Sequence, residues 1–246
     1  MRTRQAIIDV HAHILPGVDD GARTMAEACR MLRLAASQGI GAVIATPHYS
    51  RKNKPEGDGY SQYIQLAQEL QERIRQEILE FTIYLGQETY YHEELAERLQ
   101  AGEALTLAGS HYVLVEFDID VSYEYLFRGI RRLMSAGYWP VLAHMERYRC
   151  LRLERNLQEL GESGCYFQMN YSGLSGRFLD PEVRWRRKQV RLGRIHLLGT
   201  DMHQMHFRPP EISGAVKWLE KQVEEKQVEA MTWGNPLHVI KDERMG

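Results

Sequence analysis

Seven short apolar runs, each followed by a polar loop and a helix-like stretch, constrain this chain more than any other feature. They lie at residues 6–10, 41–45, 81–85, 112–115, 140–143, 166–169 and 195–198. Most are apolar or β-branched throughout, without the polar alternation of a half-solvated sheet. They therefore read as parallel strands covered on both faces. The stretches between them carry helix signals. Thr24 followed by Glu27 reads as a capping box, and Gly39 stops a helix after Met31, Leu32, Leu34 and Ala35. Tyr63, Leu66, Leu70 and Ile74 share one helical face, as do Leu126, Ile130 and Leu133. Asp180-Pro181 reads as an N-cap with proline in the first turn, and residues 216–230 read as a final helix. Strands alternating with helices imply right-handed βαβ units. The expectation is an α/β chain, one domain over 1–246, with the seven strands closed into an irregular barrel rather than an open sheet.

Composition narrows the class. Apolar residues make up 43% and charged residues 26% of the 246 residues, as in an ordinary globular protein. A formal net charge of -2 gives no reason to expect nucleic acid or an anionic membrane as partner. Cys29, Cys150 and Cys165 are too few and scattered for a disulfide framework and fit a reducing compartment. The apolar run near the start is too short for a signal-peptide core, and no stretch approaches the ~20 apolar residues of a membrane span. A soluble, cytoplasmic protein without an integral membrane segment is expected. The segment 51–59 is the clearest loop, either a solvated connector or a mobile rim over a site.

The ionisable residues fall at the strand ends. His11 and His13 follow the first strand, His48 the second, Glu88 the third and Glu116 the fourth. His144 follows the fifth, and Asp201 and His203 the seventh. In a barrel, that end of the strands is where active sites are built. A lone histidine near a strand end is more often a hydrogen-bonded structural residue than a ligand, but the set is larger than one closed zinc site requires. It implies two or three divalent ions sharing carboxylates. Alternate residues of an extended chain point the same way, so His11 and His13 can address one ion. His-x-His alone also opens metal-dependent amidohydrolases, many of which place a metal-bridging lysine near the fourth strand. Residues 112–119 hold no lysine, and Glu88 and Glu116 are the bridging candidates. Mixed imidazole and carboxylate ligands suit manganese, iron or zinc.

Five stretches carry a family resemblance: His11-Ala-His-Ile-Leu-Pro-Gly-Val-Asp-Asp-Gly21, Ala45-Thr-Pro-His-Tyr49, Leu85-Gly-Gln-Glu88, His144-Met-Glu-Arg-Tyr148, and Thr200-Asp-Met-His203 followed by Arg208-Pro-Pro. Together they resemble the polymerase-and-histidinol-phosphatase (PHP) superfamily, specifically its bacterial capsular-polysaccharide tyrosine-phosphatase branch (CpsB/CapC/YwqE-like). The resemblance implies a distorted (β/α)7 TIM-like barrel, the PHP fold, holding a trinuclear centre that is often manganese. It implies that His11, His13, Glu88 and Asp201 hold one ion and that Glu88 bridges to a second held by Glu116 and His144. Asp20, His48 and His203 complete the third, with Asp19 left as a supporting group. Arg147 and Arg208 match the phosphate-binding positions, a role that suits the guanidinium fork. Met145 and Leu179 depart from the family pattern and bear on loop shape. His92, His111, His196, His206 and His238 match no ligand position.

The implied reaction is hydrolysis of phosphotyrosine by a metal-bound hydroxide attacking in line, the family partner being a tyrosine autokinase of exopolysaccharide synthesis. No cysteine sits in a Cys-x5-Arg loop, so a thiolate route is excluded. His48 is a candidate proton donor only where it is not committed to metal. A histidinol-phosphate or small-molecule phosphatase shares the same ligands and stays open, as does a non-catalytic PHP module. The charge balance does not encourage a nuclease, and the sequence leaves the oligomeric state open. The basic run from Arg184 to Lys188, continued by Arg191 and Arg194, reads as a solvated helix face.

Overall fold

The computed structural model describes residues 5–49, 60–78, 80–177 and 179–246, so the loop at 51–59 lies outside the described residues. Among the described residues, nine strands run in chain order: β1 (Ile7–Ala12), β2 (Ile40–Ala45), β3 (His48–Tyr49), β4 (Thr82–Leu85), β5 (Glu88–Tyr90), β6 (Tyr112–Glu116), β7 (Trp139–Leu142), β8 (Tyr166–Asn170) and β9 (Leu197–Gly199). The helices are α1 (Met25–Ser37), α2 (Ser61–Glu77), α3 (Leu95–Gln100), α4 (Tyr123–Ser135), α5 (Glu154–Glu162), the single turn α6 (Tyr171–Leu174), α7 (Pro181–Arg191), α8 (Ser213–Gln222), α9 (Glu225–Glu229) and α10 (Asn235–Lys241). Every strand pairing is parallel, and the chain is α/β with a curled sheet, as the apolar runs predict.

All seven expected strands form, and two more appear. β1-β2-β4 make one sheet, and β3-β5-β6-β7-β8-β9 make a second. β3 and β5 are continuations of β2 and β4 beyond short interruptions. Pro47 has no N–H to offer, and the ladder breaks there, while Thr46 N–H still donates to Ala12 O at 2.8 Å. Gly86 N–H donates to Ala45 O, and Glu88 N–H donates to Pro47 O at 3.2 Å. Each strand thus enters one sheet and leaves in the other. At the far edge, Asp201 N–H donates to His11 O at 2.8 Å and His13 N–H to Met202 O at 2.9 Å, joining the end of β9 to β1. The register between β1 and β2 slips between Asp9 and Ala12, a bulge that re-aims the end of β1.

Two apolar layers hold this arrangement. Val10, Ile44, Leu114, Val141 and Leu197, from five different strands, pack together inside the curl with Tyr112, Val239 and Met245. Tyr112 Oη accepts from Met245 N–H at 2.8 Å and donates to Glu243 O, which fixes the chain end against the sheet. The larger layer lies between sheet and helices, where Leu126, Ile130 and Leu133 of α4 and Tyr63, Leu70 and Ile74 of α2 are buried as their spacing predicts. Gly129 of α4 is required for this contact, because a Cβ there would lie 2.7 Å from the Tyr91 ring.

The helix ends follow their signals with two differences. Thr24 Oγ1 accepts from Glu27 N–H, but Glu27 reaches back to Arg23 N–H at 3.0 Å, one residue earlier than a capping box. The expected helix over 216–230 is two helices, α8 and α9. Val223 is extended (φ -129°, ψ 146°) and ends α8, letting Val228 and Met231 turn back into the core. No described helix is long and apolar enough to cross a membrane.

His196, outside the ligand set, joins β8 to the start of β9. Its Nδ1 accepts from Phe167 N–H at 3.0 Å, so the ring is neutral, and burial pushes it down to about 4. An unfolded histidine binds its proton near pH 6.5, and the folded one does so only near 4. The stability from this neutral ring is complete above pH 6.5 and is lost as the pH falls toward 4. The loss is roughly 3 kcal/mol. Urea unfolding of the protein and of His196→Gln at both ends of that window should show this share of the acid sensitivity disappearing in the variant.

Candidate metal centre

The strand ends, with the loop after β1 that carries Asp20, bring all nine expected ligand residues to one place. His11 lies inside β1 and His13 just beyond it, while Glu116 is the last residue of β6. His48 and Glu88 do not trail their strands, as the sequence suggests, but begin the continuations β3 and β5. His144 and Asp201 follow β7 and β9 in left-handed backbone conformations, with φ 32° and 53°. With Arg208 (φ 51°), they make three of the five described non-glycine residues with positive φ, so backbone strain concentrates at this end of the sheet.

The centre of the cluster is defined by what faces what. His11 Nε2 and His13 Nε2 stand 3.2 Å apart, and Glu88 Oε2 lies 3.3 Å from each. Asp201 Oδ1 is 3.6 and 3.5 Å from the same two nitrogens. The other nitrogen of each ring already has an oxygen partner. His11 Nδ1 faces Gln168 Oε1 at 3.2 Å, and His13 Nδ1 faces Asp19 Oδ2 at 2.8 Å. With Nδ1–H donating in both, the two Nε2 atoms present lone pairs to each other and to two carboxylates. Four buried acceptors facing one another are reconciled only by a cation between them, a metal ion or, without one, a proton on an imidazole. Oxygen partners that fix the ring tautomer are the usual support of metal-binding histidines.

Two further groups surround this one. Glu88 Oε1 and Glu116 Oε2 lie 2.8 and 3.1 Å from His144 Nε2. His48 faces Glu88 through Nδ1 at 3.0 Å and Asp20 through Nε2 at 3.4 Å. His203 donates Nδ1–H to Asp201 O at 2.9 Å and turns Nε2 toward Asp20 Oδ1 at 3.5 Å. The geometry groups His11, His13 and Asp201; His48, Glu88 and Glu116; and His13, Asp20, His48 and His203. His48 thus faces two groups instead of one, and Asp20, with 63% of its side chain exposed, is the least held member.

The protein's own charges show what the cluster balances. Burial opposes ionisation of Glu88, yet His11, His13 and His144 hold it well below the usual carboxylate range. Burial disfavours charge on His144, but its bonds to Glu116 and Glu88 prevail and raise it to about 9. His13 is raised by Asp19 and Glu88 against the same burial. Burial and the nearby His13 push His203 down to about 4. Protons on His13 and His144 therefore occupy the charge balance that metal ions would take over, with proton release on binding.

Arg147 and Arg208 both reach Asp201 Oδ2, Arg147 through Nη2 and Arg208 through Nη1 at 3.1 Å. Asn170 Nδ2 donates to the same oxygen at 2.8 Å. The remaining guanidinium nitrogens of Arg147 have no protein partner among the described residues, and Arg208 is 38% exposed, so both forks open onto the cluster. Sequence reasoning missed Gln168 and Asn170. Gln168 orients His11, accepts from His144 N–H at 2.6 Å and donates to Asn170 Oδ1. Two amides at alternate positions of a buried strand were the available signal, since they share one face. Asp19 proves central: it accepts from Gly21 N–H and His48 N–H as well as holding His13.

Known proteins resemble this chain in sequence and fold. The profile of the family described as "Capsular polysaccharide synthesis, CpsB/CapC" matches residues 7–241. Tyrosine-protein phosphatase CpsB of Streptococcus pneumoniae is 30% identical over 245 residues, 96% of this chain and 99% of that protein. Tyrosine-protein phosphatase YwqE of Bacillus subtilis (strain 168) is 33% identical over 220 residues, 88% of this chain and 85% of that one. A crystal structure from work on YwqE of Bacillus subtilis and CpsB of Streptococcus pneumoniae, described as unique metal-dependent tyrosine phosphatases, superposes with TM-score 0.86 at 30% identity, covering 98% of this chain and 96% of that one. The phosphotriesterase homology protein of Escherichia coli superposes with TM-score 0.54 at 13% identity, covering 94% and 97%, a likeness of fold alone. With nearly its whole length matched, the chain belongs to the CpsB/CapC family.

Proposed function

We propose that this protein is a metal-dependent protein-tyrosine phosphatase, acting on a phosphotyrosine protein such as a tyrosine autokinase of capsule or exopolysaccharide synthesis. The observation that carries the reading is the buried cluster of acceptors around Glu88, with Arg147 and Arg208 at its edge, in a CpsB/CapC chain. Two to three divalent ions fit the donor set, manganese first, with iron or zinc compatible. His11, His13, Glu88 and Asp201 would hold one, Glu88, Glu116 and His144 a second, and Asp20, His48 and His203 the third. Bound there, the ions bring the pKa of water toward neutrality and offset negative charge on phosphoryl oxygens. We also read the two sheets, joined by the bonds at His11 and His13, as one distorted (β/α)7 barrel in a single domain, and the three free cysteines as fitting a cytoplasmic setting.

The chain's own groups supply the rest. Arg147 and Arg208 bind the phosphate through their open nitrogens and orient it for in-line attack. Asp201 holds both forks in place before substrate arrives. No thiol takes part: Cys29 and Cys165 are buried, Cys150 is part-buried, and burial pushes all three thiols up. A tyrosine leaving group has a pKa of about 10, so it departs with less protonation than an alkoxide. His48, only part-buried at the mouth, carries a proton to it where the ring is not held by metal. Phe207 supports an aryl substrate. It is 55% exposed, lies 5.0 Å from the Arg208 guanidinium and meets the His203 ring edge-on at 6.2 Å. Bonds from His203 N–H to Arg208 O and from Gln204 N–H to Phe207 O hold the backbone of the loop that carries the ring.

Three outcomes are expected. Chelation should abolish hydrolysis of p-nitrophenyl phosphate and phosphotyrosine peptides, with manganese restoring it; full activity after thorough chelation overturns the proposal. Arg147→Ala and Arg208→Ala should each lower kcat/KM by about a hundredfold, equivalent to ~2.7 kcal/mol, with metal content unchanged by elemental analysis. Phe207→Ala should raise KM for phosphotyrosine peptides several-fold, on the order of 1 kcal/mol of ring contact, while hydrolysis of a phosphoserine peptide stays where it was.

A further inference from the structure

The basic run that begins at Arg184 does not behave as a uniform solvated face. Arg186 pairs with Glu182, and Arg194 pairs with Glu154. Arg184, Arg187 and Arg191 instead share one side of α7 and, with Trp218, Lys221 and Gln222 of α8, line a groove of about 450 Å³. Arg187 and Arg191 lie 5.0 and 5.4 Å from the Trp218 ring centroid. Arg187 is locked there by two bonds to Leu174 O, at 3.1 and 2.9 Å, and Arg191 by donation to Gln222 Oε1 at 2.9 Å. Among the described residues, none of these three arginines nor Lys221 forms an ion pair with a carboxylate. Burial, then the nearby Arg191, pushes Arg187 below its usual value. Two cations are thus held against one indole and two more line the same groove with no paired carboxylate, an arrangement whose repulsion a negative ligand would relieve.

We propose that this groove binds an acidic segment of a polypeptide partner, a docking site separate from the metal centre. Arg184 and Arg191 are seven residues apart on a helix, about 10 Å, which matches roughly three residues of extended peptide. Charge complementarity names the ligand as carboxylates or phosphates along such a segment. A nucleic acid is disfavoured because Trp218, the one aromatic lining the groove among the described residues, already has Arg187 and Arg191 against its ring, and the chain as a whole is slightly negative. A bilayer is disfavoured because the cations lie in a concave groove between two helices. The site deepens the phosphatase reading by giving a protein substrate a second point of attachment, and it rests on that reading for its purpose.

Fluorescence anisotropy of a labelled glutamate-rich peptide tests binding without any turnover. The full chain should bind it, more weakly at high salt, and the Arg184→Glu/Arg191→Glu double variant should lose about tenfold in affinity. Lys221→Glu, alone and on the exposed face, should weaken binding in the same direction if the double variant unfolds by circular dichroism. In kinetics, an acidic extension on a phosphotyrosine peptide should lower KM for the unaltered chain only, with kcat and p-nitrophenyl phosphate turnover unchanged in every variant. Equal affinity of both variants and the unaltered chain overturns the groove. So does tighter, variant-sensitive binding of duplex DNA or phosphatidylserine vesicles. Absence of p-nitrophenyl phosphate hydrolysis with manganese present would overturn the phosphatase reading instead, and the anisotropy result would still decide the groove.

Discussion

The contact between His11, His13, Glu88 and Asp201 is the one on which the rest of the structure depends. Four acceptor atoms lie within 3.6 Å of one another along these contacts, in a place that water hardly reaches. Left to themselves they repel, and burial sharpens the repulsion. Two things hold them there. Strand ends fix the backbones, and a shell of oxygens and amides (Asp19, Gln168 and Asn170) fixes the side chains. The left-handed conformations of His144 and Asp201 are part of the same requirement, because they aim side chains that an ordinary strand end would direct elsewhere.

Much of this was legible before any coordinates. Buried parallel strands leave a strong mark, since both faces demand apolar residues, and each of the seven runs became a strand. The gathering of His11, His13, His48, Glu88, Glu116, His144, Asp201 and His203 followed from counting chemistry at those ends. Less legible was how the strands break. β3 and β5 are two and three residues long and begin on His48 and Glu88, so no period could reveal them. Their pairing is imposed by Pro47 and Gly86 and by neighbours far along the chain, a tertiary effect that local pattern does not encode. Val223 ends a helix without glycine or proline for a similar reason: core packing outweighs propensity.

Fold and chemistry separate cleanly here. A fold can be shared where little sequence is. The shared part is the curled sheet with helices outside, a frame that hosts many reactions. What the frame does not supply lies in side chains at the strand ends of this chain: Glu88 and Glu116 facing one imidazole, and two arginines sharing one carboxylate oxygen. Those details, and not the frame, carry the functional argument.

The seam between β1 and the end of β9 has a consequence for the order in which the molecule matures. His11 and Asp201, which meet there, are separated by most of the chain, and Thr200 clasps Asp9 across the same gap. A growing chain would present the two N-terminal histidines long before their carboxylate neighbour existed. Two imidazoles alone make a weak and promiscuous site. The full donor set is assembled only when β9 docks beside β1. An ion held by this donor set would therefore be acquired only once the strand before Asp201 has docked, and would fasten β9 to β1.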